Sequence, residues 1–130
     1  MEVEPELIVL RGETDGTSTT GTFSLDSDIL YAPVTYVRIP KGMVVKVWFK
    51  KLAGEGEALT TLEYTYDVTV ATPTWKALHV EKLAAKGEVT LEKRRPIILR
   101  GFTGREAFRV TWSMPTAVKA YVEIGVEIGE

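Results

Sequence analysis

Residues Val118–Ile128 read V-K-A-Y-V-E-I-G-V-E-I. Val118, Ala120, Val122, Ile124, Val126 and Ile128 fall on one side of a two-residue period, and Lys119, Tyr121, Glu123, Gly125 and Glu127 on the other. Successive side chains of a strand project to opposite faces, so this alternation predicts a half-buried β-strand. Its apolar side is continuous enough for a central strand. The chain is therefore expected to end inside its own sheet, with no tail left for an anchor or arm.

The same period recurs upstream. Val34–Ile39 and Met43–Lys51 flank the turn signal Pro40-Lys41-Gly42, and in the second run Val45, Val47 and Phe49 oppose Lys46, Trp48 and Lys50. Leu62–Val70 places Leu62, Tyr64, Tyr66, Val68 and Val70 on one side. Leu7–Leu10, Glu88–Glu92, Ile97–Phe102 and Ala107–Ser113 complete the set. Thr74–Lys86 has two readings: a strand over Trp75–Lys82, or a short helix near 75–86 capped by Thr74 and released at Gly87. Eight or nine short strands separated by turn residues predict an all-β fold, an antiparallel β-sandwich of jelly-roll or Greek-key type. One domain spans residues 1–130, with residues 1–6 as an N-terminal arm and the aperiodic, Gly- and Thr-rich residues 12–24 as a flexible polar loop.

The composition narrows the chemistry. There is no cysteine, which removes thiol nucleophiles, thiolate metal sites and disulfides. Eighteen acidic and 16 basic residues are well mixed, so no long-range attraction to nucleic acid or to a membrane is expected. No apolar run approaches the ~18 residues of a membrane span, and the acidic start lacks the pattern of a secretory signal. Synthesis in the cytoplasm follows as an expectation, with later incorporation into a virus particle allowed. The absence of cysteine with abundant Glu, Lys and Arg fits a heat-adapted protein.

Candidate catalytic groups are sparse. His79 is the sole histidine, and no nucleophile-elbow motif surrounds Ser18, Ser24, Ser27 or Ser113. Asp26 and Asp28, near Glu13 and Asp15, match no calcium-loop spacing. Among many carboxylates no glycosidase-type pair can be nominated. No catalytic residue, metal or cofactor is assigned, and no enzymatic activity is expected. The basic concentration Lys93, Arg94 and Arg95 with Arg105, close to Arg100 and Arg109, reads as a charged edge that discourages stray strand pairing, or as a docking patch for an acidic neighbour.

Aromatic residues carry the binding expectation. Alternation places Trp112 inward but Trp48 outward with Lys46 and Lys50, and Tyr121 outward between Lys119 and Glu123. Trp75 follows Pro73 at the end of a loop. Outward Trp48, Trp75 and Tyr121 are the candidate interface or ligand-stacking residues. The segment Thr72–Glu81, T-P-T-W-K-A-L-H-V-E, followed by A-K-G-E-V-T-L over Ala85–Leu91, resembles a pattern of carbohydrate-binding jelly-roll modules, in which a tryptophan-led strand precedes a glycine turn. The overall build, a cysteine-free sandwich with a polar N-terminal stretch, is similar to that of small virion proteins such as capsid, decoration or spike subunits. The expectation is thus a non-enzymatic structural protein that self-associates or joins other structural subunits. The alternative is a module binding carbohydrate or another small ligand through exposed tryptophan.

Overall fold

A computed structural model describes residues 6–27, 33–54, 56–83, 88–89 and 96–129. They form ten strands: β1 (Glu6–Glu13), β2 (Thr20–Thr22), β3 (Val37–Arg38), β4 (Val44–Gly54), β5 (Ala58–Thr65), β6 (Lys76–Leu83), β7 (Glu88–Val89), β8 (Ile97–Arg100), β9 (Ala107–Ser113) and β10 (Ala120–Gly129). All pairings are antiparallel. In the first sheet β10 lies between β1 and β4, and β7 and β8 share the far edge of β4. In the second, β2 and β3 share one edge of β9, followed by β5 and then β6.

Counting each shared edge as one interrupted strand leaves eight positions in chain order, paired 1-8-3-6 and 2-7-4-5. That winding, in which first and last strands are neighbours, is a jelly roll. Ten strands appear among the described residues, where eight or nine were expected, because two of these positions each hold two short segments.

Three local outcomes have physical causes. Of the two readings of Thr74–Lys86 the strand holds, over residues 76–83, and no helix occurs among the described residues. Pairing with β5 sets His79 opposite Leu62 and its ring 5.5 Å from Phe49, so cross-strand packing outweighs the capping signals. The strand expected over Leu62–Val70 instead covers Ala58–Thr65. Asp67 ends it by accepting bonds from the Thr69 amide (2.9 Å) and hydroxyl, a turn that overrides the continuing alternation and leaves Tyr66 and Val70 exposed. Within residues 12–24, β1 runs on through Glu13 and β2 forms at Thr20–Thr22. Thr14 is fully buried there. Its hydroxyl donates to the Val118 carbonyl (2.7 Å) and accepts from the Ala120 amide (2.9 Å), fixing the entry to β10.

The core lies between the sheets, where Phe23, Leu25, Ile39, Phe49, Leu62, Phe108 and Ile124 are buried to the last few per cent. Each such side chain contributes about 1.5–3 kcal/mol on removal from water. The apolar side of β10 behaves as its alternation predicted: Ala120, Val122, Ile124 and Val126 are all buried.

Trp48 is a correction. It does point to the outer face of its sheet, but it is only 5% exposed. The residue opposite it on β10 is Gly125, and a Cβ built on that glycine would stand 2.3 Å from the indole Cε2. The indole occupies the volume a side chain would have taken. It is structural filling on the outer face, not an exposed stacking platform. The second sheet repeats the device: Gly21 faces Trp112, and a Cβ there would fall 2.4 Å from Cζ2. Trp112 is buried against Phe23, ring centroids 5.0 Å apart.

Because alanine is usually no worse than glycine in a strand, Gly125→Ala would ordinarily be neutral or better. Here it is expected to cost about 1–3 kcal/mol by overpacking. Urea denaturation should show this loss shrinking when Gly125→Ala is placed in a Trp48→Leu background, the coupling expected of a direct contact.

Candidate functional site

The outer face of the second sheet carries the outward residues of β5 and β9. Antiparallel register sets Glu63 opposite Arg109, one pair along from Tyr64–Phe108. Arg109 Nε donates to Glu63 Oε1 at 2.7 Å, and both side chains are largely covered, 29% and 18% exposed. The chain approaching β6 brings Trp75 onto this pair: the Arg109 guanidinium carbon lies 4.3 Å from the indole centroid. The Tyr36 ring, just before β3, is 6.5 Å from Trp75 and tilted by 47°. Four side chains from four segments thus form one row, Tyr36–Trp75–Arg109–Glu63. Tyr36 is well exposed and Trp75 half-buried.

This row offers aromatic faces beside a carboxylate and a guanidinium held in fixed positions. Such a surface suits stacking of an apolar ring face with hydrogen bonds to hydroxyls at its rim, and equally the aromatic and Arg anchors of a protein interface. Reading the sequence nominated Trp75 as a stacking residue at the end of a loop and did not join it to these partners. Arg109 and Glu63 stood on the polar faces of well-patterned strands, yet only the pairing register brings them together.

At one end of the same sheet, a carboxylate organises the loops. Glu106 is 2% exposed. It accepts bonds from the amides of Phe102 (3.1 Å), Thr103 (3.2 Å) and Arg105 (3.1 Å), and from the Thr103 hydroxyl (3.2 Å). Burial alone would raise its pKa, but these donors together hold the carboxyl below the ordinary value. The loop they fix displays Phe102, 66% exposed. Beneath it, Tyr64 donates to the Arg100 carbonyl (3.2 Å), and burial, with the nearby Glu106 and Tyr66 groups, pushes its phenol up to about 12.

The remaining candidates separate. Tyr121 stands on the outer face of the first sheet, 49% exposed, between the ion pairs Lys119–Glu13 (3.7 Å) and Arg11–Glu123 (3.6 Å). It shares no surface with Trp75, which lies on the opposite sheet. Arg105 sits in the Glu106 loop, with its charge near Asp67. Lys93, Arg94 and Arg95 lie outside the described residues, as does Asp28. Asp15 is committed to a local turn: bonds from the Ser18 and Thr17 amides lower its pKa to about 2. His79 pairs with Glu81 at 2.8 Å. Among the described residues, no three His, Asp or Glu side chains group closely enough to hold a metal ion, and no helix is long and apolar enough to cross a membrane.

No protein-family model matches the chain, and no characterised protein matches it in sequence. Several solved structures are similar in shape. The crystal structure of PirA aligns with a TM-score of 0.46 at 12% identity, over 89% of this chain and 90% of the other. TmCBM61, solved with β-1,4-galactotriose, aligns with a TM-score of 0.43 at 12% identity, over 94% of this chain and 70% of that one. A subunit of the disulfide-linked pili that form Bacillus endospore appendages gives a TM-score of 0.36 at 15% identity, over 98% and 90%.

Glu106→Gln keeps the shape of the loop anchor but turns an amide group toward amide donors. It is expected to cost about 1–3 kcal/mol at neutral pH, the range for hydrogen bonds to a charged group. A carboxyl depressed in the folded state stabilises above its unfolded pKa of ~4.3 and loses that contribution as pH falls through the folded value. Urea midpoints between pH 6 and pH 2.5 should therefore converge for the wild type and Glu106→Gln toward the acid end.

Proposed function

We propose that this protein is a non-enzymatic structural subunit that works by associating with copies of itself, in the manner of the coat, decoration or spike proteins of a virus particle. The observation that carries this reading is the open side of the second sheet. Strand β6 has β5 on one flank and no described strand on the other. On its outer face Leu78 (43%), Val80 (52%) and, one strand in, Leu59 (46%) expose apolar side chains side by side. Single exposed apolar residues are ordinary, but a contiguous group on an unpaired edge is the signature of a surface meant to be covered. Exposed Tyr121 on the other sheet adds a second contact region. Size-exclusion chromatography with light scattering, run from micromolar to millimolar protein, should give a mass that is a multiple of the 14.4 kDa chain. A monomer throughout overturns the reading.

A second reading rests on the Tyr36–Trp75–Arg109–Glu63 row, which supports carbohydrate binding. Titration with β-linked oligosaccharides should then change tryptophan fluorescence. Trp75→Ala should weaken that binding at least tenfold, whereas Trp48→Leu should leave the affinity unchanged, because Trp48 is buried against Gly125.

A further inference from the structure

We infer that two copies join edge to edge through β6, antiparallel, about a two-fold axis at Val80. This rests on the self-association proposed above and specifies its geometry.

The backbone of β6 is set for it. Thr60 Oγ1 on β5 donates to the Glu81 carbonyl at 3.0 Å, so that carbonyl faces β5. Carbonyls alternate in direction along a strand, which turns the N–H and C=O of Val80 toward the open edge. The other edges are less available. Toward its C-terminal end β1 is already bridged by Asp26, with the Arg11 amide bonded to the Asp26 carbonyl at 2.8 Å and the return bond at 2.9 Å. The described strands on the other two edges are short: β2, β3, β7 and β8 have 3, 2, 2 and 4 residues. Strand β6 is eight residues long.

Charge selects the register. A two-fold axis normal to the sheet must pair each residue with one pointing to the same face, so it passes through a residue opposite its own copy. Centring on His79 sets two imidazoles face to face and leaves Glu81 opposite Ala77, with no charged partner in the copy. Centring on Glu81 sets two carboxylates face to face. Centring on Val80 places His79 of each copy against Glu81 of the other. The histidine–glutamate pair within one chain becomes a ring of two histidines and two glutamates around the axis, on the side that faces the sandwich interior. On the outer side, Val80 meets Val80 at the centre, and Leu78 lies along the aliphatic stem of Lys82. Half-buried polar residues on an edge strand ordinarily deter pairing. Here the same two residues are complementary to their own copies, so they exclude other strands and other registers while admitting this one.

A cysteine-free chain makes the test direct. Directly opposed residues of a hydrogen-bonded antiparallel pair have Cα atoms about 5.5 Å apart, within the range a disulfide spans. Val80→Cys is expected to give a cross-linked dimer of nearly all the protein under mild oxidation, and Lys82→Cys little, since residue 82 faces residue 78 of the copy. Val80→Pro removes an amide that points away from β5 and should shift dimer to monomer by at least tenfold in dissociation constant. Glu81→Lys should do the same, with recovery in the double variant His79→Glu/Glu81→Lys. Equal cross-linking at both cysteine positions, or none at Val80→Cys while light scattering still reports an oligomer, overturns the β6 geometry and leaves self-association standing. A wild-type monomer at every concentration overturns both.

Discussion

The structure depends on one topological constraint: the last strand must lie between the first and the fourth. β10 pairs with β1 from Glu6↔Ile128 to Glu13↔Tyr121, and with β4 from Ala120↔Gly54 to Gly129↔Val44. Among the described strands no other joins β1 to β4. The buried side chains of β10 also supply the centre of the core, so removing that strand would open the sheet and unroof the sandwich together. The outer face is closed by a simpler means. Gly125, the smallest residue at the middle of β10, lets Trp48 lie flat across the strand. A position that costs backbone entropy and packs nothing of its own becomes the seat of the largest side chain on that face.

Much of this was legible in the sequence because strands announce themselves by period. The closing strand, β4 and β9 were readable with their inward faces, and with them the all-β sandwich. Other features resisted for identifiable reasons. Leu62–Val70 alternates almost perfectly, yet Asp67 folds it into a turn after Thr65, since one side-chain acceptor taking two bonds from Thr69 is stronger than residual strand pattern. Trp48 was placed on its proper side but misjudged in exposure, because alternation reports direction and cannot report that the facing residue is a glycine. The Tyr36–Trp75–Arg109–Glu63 row depends on register between segments more than seventy residues apart, information no local pattern contains.

Function was less legible than fold, and the physical reason is the same. A surface that acts through geometry alone needs no motif. The outer rows of the second sheet are assembled from residues that individually read as solvated strand faces. Only their juxtaposition distinguishes an aromatic–cationic row at one end from the apolar edge along β6. The loop end beside them is made rigid by the buried Glu106, so that exposed Phe102 is held out by bonds to its own backbone and to that of Thr103 and Arg105. Order there is bought by a single charge.

The neighbourhood of first and last strands also bears on how the molecule comes into being. During synthesis β1 emerges early and has its partner only after residue 129 has left the ribosome. Until then, the flanks of β1 and β4 are both without β10, and the core lacks its middle. Closing contacts across more than a hundred residues carries a large chain-entropy cost, so folding is expected to be slow and to await β10 rather than proceed progressively. Within that interval the chain presents unpaired, strongly apolar strands to its copies. A protein proposed to assemble by edge pairing must therefore finish one sheet before it offers the other.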